Sequence, residues 1–321
     1  MIAISIPVHE NMDCVVDLVR NINHYEPNCC IVLHASRIFD SFDHERLNQY
    51  ENVFVNPKRN LTGMGLLVHH VSNFRFIQNK VQFSNFIVMS SNEMLVKPGV
   101  ADHVKKHKNG FQAVFRHQRP TWHLFNRFQL PGHRWGDQGP HDFDFVKNPE
   151  YIVWESDCPE KCPDKRVSTL MRELGWSELI GGQTEGQFYE HEVFEEIADN
   201  YERIWGEEQV VGYETEEFIP MMVAKSILKK RGEKQTAPIT LQNYSQHIAY
   251  NKELIEKIKN NEKIHFDDRT NPVCLCSPHI PPSLYCPNHE NWCDSYFIYS
   301  LKRVPRIYED STRSLIRSYY E

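Results

Sequence analysis

Hydrophobic and polar positions alternate between two periods along the first hundred residues. Ile2-Ala3-Ile4-Ser5-Ile6-Pro7-Val8 is an apolar run rich in β-branched residues, closed by polar His9-Glu10-Asn11, and it predicts a buried strand. From Met12 to Ile22 the apolar positions Val15, Val16, Leu18, Val19 and Ile22 fall on one helical face, with Asn11 or Asp13 available as the cap. Cys30 to His34, Asn52 to Val55 and Phe86 to Met89 predict three further strands, with a helix from Leu66 to Ile77 between the last two. Strands alternating with helices in this way predict βαβ units and a mostly parallel sheet.

Sheets of this kind bind ligands at the carboxyl ends of their strands. Those ends here are His9-Glu10, His34-Ala35-Ser36 and Ser90-Ser91-Asn92-Glu93, all polar. From Phe115 to Phe145 the periodicity disappears into a stretch rich in His, Trp, Arg, Gly and Pro, which predicts long loops. Helical periodicity returns from Phe188 to Trp205, from Glu214 to Lys230 and from Lys252 to Lys259. A Cys/Pro-rich stretch, Pro272 to Cys293, then precedes a basic tail from Ser300 to Arg317. The expected division is a core over residues 1–235 and a C-terminal extension over 236–321 packed on it.

Composition narrows the classes. Hydrophobic residues at 40% and charged residues at 25% are ordinary for a globular chain. A net charge of −7 supplies no global field for nucleic acid or anionic lipid, so neither is an expected partner. No run approaches the ~20 apolar residues that span a bilayer, and Ile2 to Val8 lacks the basic leader of a signal peptide. The expected compartment is cytosolic, where the nine cysteines stay thiols.

The order of motifs resembles the core-2/I-branching N-acetylglucosaminyltransferases and peptide O-xylosyltransferases. The opening strand with His9-Glu10-Asn11 is similar to that family's strand and His-Lys-Asn turn, and Ile31 to Ser36 stands where it has Ile-His-Val-Asp. Asn52 through Gly63-Met64-Gly65-Leu66-Leu67 resembles its Asn-Val segment and Gly-rich turn, and Phe86 to Glu93 its strand ending in Asp. Gly181 to Phe188 looks like its Gly-Ser-x-Trp turn, and Tyr213 to Phe218 like its Ser-Pro-Asp-Glu segment. Ser36 and Glu93 replace two of the family's aspartates, and the tryptophans of both Gly-rich turns are absent.

The resemblance implies a GT-A-type, Rossmann-like α/β fold and an inverting glycosyltransferase. It would carry xylose or N-acetylglucosamine from a UDP-sugar donor to a glycan acceptor. The nucleotide is expected against Pro7, His9, Glu10, His34, Ser36 and Arg37. Donor or acceptor contacts are expected from Ser91, Asn92, Glu93, Gln183 and Trp122, the last because aromatic rings stack on sugars; His123, His133 and Trp135 accompany it. Inversion needs one base to deprotonate the acceptor and positive charge for the departing diphosphate. The carried-over base is Glu217, with Glu185 second. Lys302 and Arg303 supply the charge, with Arg306 in reserve, although a solvated basic tail explains the same residues. No cofactor is expected to be required. Mn²⁺ or Mg²⁺ is the alternative, through Glu93 or through Asp142-Phe143-Asp144, which follows no buried strand.

Three other features are read as follows. Cys274, Cys276, Cys286 and Cys293, with His279 and His289, lack paired Cys-x-x-Cys knuckles and are expected to be thiols, as are Cys158 and Cys162. His69 and His70 are expected on a helix surface. The alternative function is a catalytically degenerate protein that binds carbohydrate or nucleotide sugar.

Overall fold

The computed structural model describes residues 1–9, 11–60, 65–111, 114–115, 165–176, 180–181, 184–206, 215–241, 249–265 and 292–321. Strand β1 (Ile2–Val8), helix α1 (Met12–Tyr25), β2 (Cys30–Ala35), β3 (Val53–Val55), α2 (Leu67–Ile77) and β4 (Asn85–Val88) follow the expected alternation. Then come β5 (Glu93–Leu95), α3 (Val100–His107), β6 (Val114–Phe115), α4 (Lys165–Leu174), β7 (Ile180–Gly181), β8 (Gln187–Glu190) and α5 (His191–Trp205). A 3-10 turn, Thr215–Glu217, leads into α6 (Ile219–Arg231). The remaining elements are β9 (Thr240–Leu241), α7 (Lys252–Lys259), β10 (Lys263–His265), β11 (Trp292–Asp294), β12 (Ser300–Lys302) and α8 (Ser311–Arg317).

The main sheet has the order β3-β2-β1-β4-β8. Its first four strands are parallel and β8 is antiparallel to β4. This is the mostly parallel, Rossmann-like α/β sheet flanked by helices that the sequence predicts. Strand period 2 divides β1 between two cores. Ile2, Ile4, Ile6 and Val8 pack with Val15, Leu18, Val19 and Ile22 of α1. Ala3 faces the other way, with Val71 and Phe74 of α2 and Phe194 and Ile197 of α5. A smaller sheet, β5-β12-β9, adds Met94, Leu95, Leu241 and Leu301 to the α1-side core.

Four readings are corrected. The segment expected to be one helix from Phe188 begins as β8, where Phe188 and Tyr189 point to opposite cores. Such alternation is a strand's signature, and the helix starts only at His191. The helix expected from Glu214 is likewise shorter, Ile219–Arg231 behind the 3-10 turn. His69 and His70 are not on a surface: they are 0% and 2% exposed, because α2 packs on β1 and β2 and also against α5. The solvated basic tail fails too, since Lys302, Arg313 and Arg317 are all buried.

Two features fix the strand ends. Asn11 caps α1, its Oδ1 accepting from the Cys14 N–H at 3.3 Å. Gly186 has φ +73, donates its N–H to the Val88 carbonyl and accepts from the Ile239 N–H. A Cβ there would collide with the Thr240 hydroxyl. Gly186→Ala is therefore expected to destabilise the protein by about 2–4 kcal/mol, through left-handed strain and that clash. Chemical denaturation checks it, and an unchanged midpoint contradicts this account of the turn.

Candidate functional site

In the order β3-β2-β1-β4 the chain reverses direction across the sheet between β1 and β4, so the ligand crevice of such a sheet lies at their carboxyl ends. After β4 the chain turns through Met89-Ser90-Ser91-Asn92 into β5. There β12 pairs antiparallel with β5, with Lys302 opposite Glu93, and parallel with β9, with Ser300 opposite Thr240. That register gathers a polar cluster whose members, such as Ser90 and Lys302, stand as far as 212 positions apart.

Glu93 is its centre and is 0% exposed. Its Oε1 accepts from the Ser90 N–H at 2.6 Å and lies 2.9 Å from the Ser90 hydroxyl. Its Oε2 accepts from the Thr240 hydroxyl at 2.8 Å, which is in turn 2.6 Å from the Ser300 hydroxyl. The Lys302 ammonium donates to Ser90 Oγ and pairs with Glu185 Oε1, both at 2.6 Å. Beyond β12, Arg303 takes the left-handed φ of +71 and turns the chain, and Val304 donates its N–H to the Asn92 carbonyl. Arg306 then donates from Nε to Ser91 Oγ at 2.8 Å, while Asn11 Nδ2 holds the Arg306 carbonyl at 3.0 Å.

The two carboxyls are tuned apart. Burial pushes Glu93 up to about 7, against the Lys302 charge, which lowers it. Burial also raises Glu185, but the Lys302 charge and hydrogen bond together outweigh it and hold that carboxyl below its ordinary value. Glu185 is thus an ionised partner of Lys302 at neutral pH, and Glu93 is the group that titrates there. Both oxygens of Glu93 already face hydrogen-bond donors, a donor set that does not fit a hard cation. Among the described residues no group of three His, Cys, Asp or Glu side chains is placed to hold a metal.

Of the residues singled out in the sequence, the structure brings Ser91, Asn92, Glu93, Glu185 and Lys302 into this cluster, and Arg303 follows at its edge. Ser90, from the polar strand end that the sequence marks, joins them locally; Thr240 and Ser300 belong to the cluster without any local motif to mark them, because only the β5-β12-β9 pairing assembles them. Glu217 is buried in the turn before α6, which packs into the α2-side core. Its neighbour Glu216 accepts the Leu66 N–H at 2.9 Å, at the start of α2. Pro7, His34 and Ser36 are buried. His34 Nε2 accepts from the Asn60 N–H, and burial drives its pKa down to about 3, so its imidazole is neutral. The Ser36 carbonyl accepts from Arg59. His9 is half-buried and Arg37 exposed. Glu10, Trp122, His123, His133, Trp135, Asp142, Asp144 and Gln183 lie outside the described residues, as do Cys158, Cys162, Cys274, Cys276, Cys286, His279 and His289. Cys14, Cys29 and Cys30 are buried free thiols.

A carboxyl raised from 4.5 to about 7 binds more protons in the folded than in the unfolded chain between those values. Its contribution to stability is therefore fully present below pH 4.5 and is lost as pH rises to about 7. Glu93→Gln removes this dependence. The difference in unfolding free energy between the native protein and the variant is expected to move steadily in the variant's favour across that window and to level off above it. A pH-independent difference, measured by denaturant titration, contradicts a buried titrating Glu93.

No family model matches the chain, and a search of curated proteins finds no significant relative. Among solved structures, the galactosyltransferase LgtC in complex with donor and acceptor sugar analogues aligns over 92% of this chain and 94% of its own, with 8% identity and a TM-score of 0.36. An active-site mutant of LgtC aligns over 82% and 84%, with 7% identity and a TM-score of 0.33. The apo-form glycosyltransferase GlyE of Streptococcus pneumoniae TIGR4 aligns over 53% of this chain and 38% of its own, with 10% identity and a TM-score of 0.25. TM-scores this low carry no argument, and the fold and the site rest on the sheet order and the residues themselves.

Proposed function

We propose that the chain is a glycosyltransferase that uses a nucleotide sugar, an inverting one acting on a UDP-sugar and a glycan hydroxyl. The observation that carries this reading is the seating of Lys302 and Arg306 on Ser90 and Ser91, at the carboxyl ends where a parallel α/β sheet binds its ligand. Fixed cations at that place suit a diphosphate, whose oxygens take charge-assisted hydrogen bonds. As the sugar leaves, negative charge grows on the diphosphate, and cations already in position stabilise it without reorganising. Lys302, Arg303 and Arg306 fill this role in the proposal. The acceptor hydroxyl needs a base. Glu217 takes that role in the proposal because the family resemblance carries it there, with Glu185, ion-paired and held low, as the second choice. Xylose and N-acetylglucosamine are the proposed sugars.

A second reading, binding without turnover, is favoured by one observation: the strand-end carboxyl of Glu93 is consumed by its own serine and threonine donors. A panel of UDP-, GDP- and dTDP-sugars, read by thermal shift and by transfer or hydrolysis, separates the two. Stabilisation by UDP-sugars with turnover supports the transferase; stabilisation without turnover on any acceptor supports the second reading; no stabilisation by any nucleotide removes the transferase, and calorimetry with free oligosaccharide then decides whether the second reading survives as carbohydrate binding.

Two variants test the residue roles. Replacing Lys302 and Arg303 together by Ala is expected to weaken UDP binding by about 10²-fold, the scale of two charged hydrogen bonds. Glu217→Gln keeps the shape and removes the basicity, and turnover should fall by about 10²-fold or more with UDP binding nearly intact. Glu185→Gln is the matched control. If that variant is inactive and Glu217→Gln is not, the base is Glu185.

A further inference from the structure

Close behind the strand-end cluster, α8 carries a guanidinium that is wholly inside the protein. Arg313 is 0% exposed, as is the side chain of its partner Asp17 on α1; Nη1 and Oδ2 are 2.8 Å apart. The other Asp17 oxygen accepts from the Tyr320 hydroxyl at 2.6 Å. The helix that brings Arg313 inward is capped by Asp310, whose Oδ1 takes the Thr312 and Arg313 N–H groups. A buried ion pair of this kind recovers little net stability, because desolvation offsets the attraction. Among the described residues, moreover, Arg313 Nη2 is buried without an acceptor, so the guanidinium is not fully satisfied where it stands.

What the pair does hold is the chain next to the cluster. Arg313 Nε donates to the Pro305 carbonyl at 3.1 Å, one residue before Arg306. Together with the Val304 N–H on Asn92 and Asn11 on the Arg306 carbonyl, three consecutive residues of this strap are each fixed through a backbone group. Each anchor comes from a different element: the β4–β5 turn, the cap of α1, and α8. The Arg306 side chain leaves the strap for Ser91 from that fixed base.

We propose that Arg313, oriented by Asp17, is a positioning residue for the anion site: through Pro305 it sets the seat of Arg306 on Ser91. What the site binds rests on the glycosyltransferase reading above; the positioning itself does not. Arg313→Lys keeps a charge for Asp17 and removes the Nε donor to Pro305. Hydrogen exchange at the Val304 amide and the Arg306 Nε–H should accelerate by about tenfold or more, as local opening requires, while the Ile31 amide, bonded to the Asn52 carbonyl, exchanges as before. UDP affinity should fall by about tenfold, and in an Arg306→Ala background Arg313→Lys should cost less than about twofold further, the non-additivity of residues acting as one unit.

Unchanged exchange at Val304 and Arg306, or a UDP loss that adds in full to that of Arg306→Ala, overturns the proposal. Failure of the native protein to bind UDP removes the functional reading instead, and the exchange measurement still decides the positioning. Should Arg313→Lys not fold, Tyr320→Phe takes one donor from Asp17 and leaves the guanidinium in place. It should accelerate the same two sites by about threefold or more with Ile31 unaffected; acceleration everywhere, or nowhere, counts against the proposal.

Discussion

The register between β5 and β12 is the constraint on which the strand-end chemistry depends. Opposing Lys302 to Glu93 sets a buried cation beside one buried carboxyl and one half-buried carboxyl, Glu185, and burying any of these charges alone would be costly. A slip of one residue would turn Lys302 into the α1-side core and Leu301 out of it. The apolar face and the polar face therefore enforce the same pairing. Leu301, with 0% exposure, holds the register from one side, and the Glu93-Ser90-Lys302-Glu185 network holds it from the other. The parallel neighbour β9 completes it, because Thr240 is the donor that the second oxygen of Glu93 needs.

This arrangement gives the two carboxyls different work. Glu185 is the standing counter-ion of Lys302, while Glu93 sits near 7 and changes charge around neutrality. Two titratable groups whose surroundings push their pKa values apart are the usual basis for dividing acid and base roles in one site. Here the division also sets the local field. Among the described carboxyls of this cluster, Glu185 faces the cations when Glu93 is protonated, and Glu93 joins it when ionised. An anion arriving at these strand ends meets a more positive site on the acid side of neutrality.

Much of the fold is legible in the sequence, and the reasons are local. β1 announces itself by consecutive β-branched and apolar residues, and the Asn11 cap by a polar residue just ahead of a 3.6-residue pattern. What sequence reasoning misses is of two kinds. Gln187 to Glu190 is too short for its period to be distinguished from the first turn of the helix that follows. The alternative of a solvated basic tail stays open in the sequence because nothing near Arg313 announces Asp17, 296 positions away. The candidate site shows the same limit. Ser91, Asn92 and Glu93 are marked by standing at a strand end, and Lys302 by resemblance alone. Thr240 and Ser300 carry no mark, since their significance exists only in the register.

The structure holds a second buried polar network, and its contrast with the first is informative. On the α2 side of the sheet, Asn73 Nδ2 donates to Ser5 Oγ and to the Val32 carbonyl, Asn56 Nδ2 donates to Asn73 Oδ1, and His70 Nδ1 lies 2.9 Å from Ser5 Oγ. His70 is held neutral, first by burial and then by His69 and His34 nearby. Every group named there is uncharged, and the network sits midway along the strands under a helix, where it ties α2 to β1 and β2. The strand-end network is charged and draws on four separate segments. Its side chains stand where the chain turns, at the strand ends where sheets of this order bind their ligands. Burial of polar groups alone therefore does not mark a site. A neutral, closed network fixes packing, as uncharged amides and hydroxyls can satisfy one another completely. A network with ionised groups sets charge at a defined place, and only charge that an incoming partner can use offsets the desolvation it costs to keep it there.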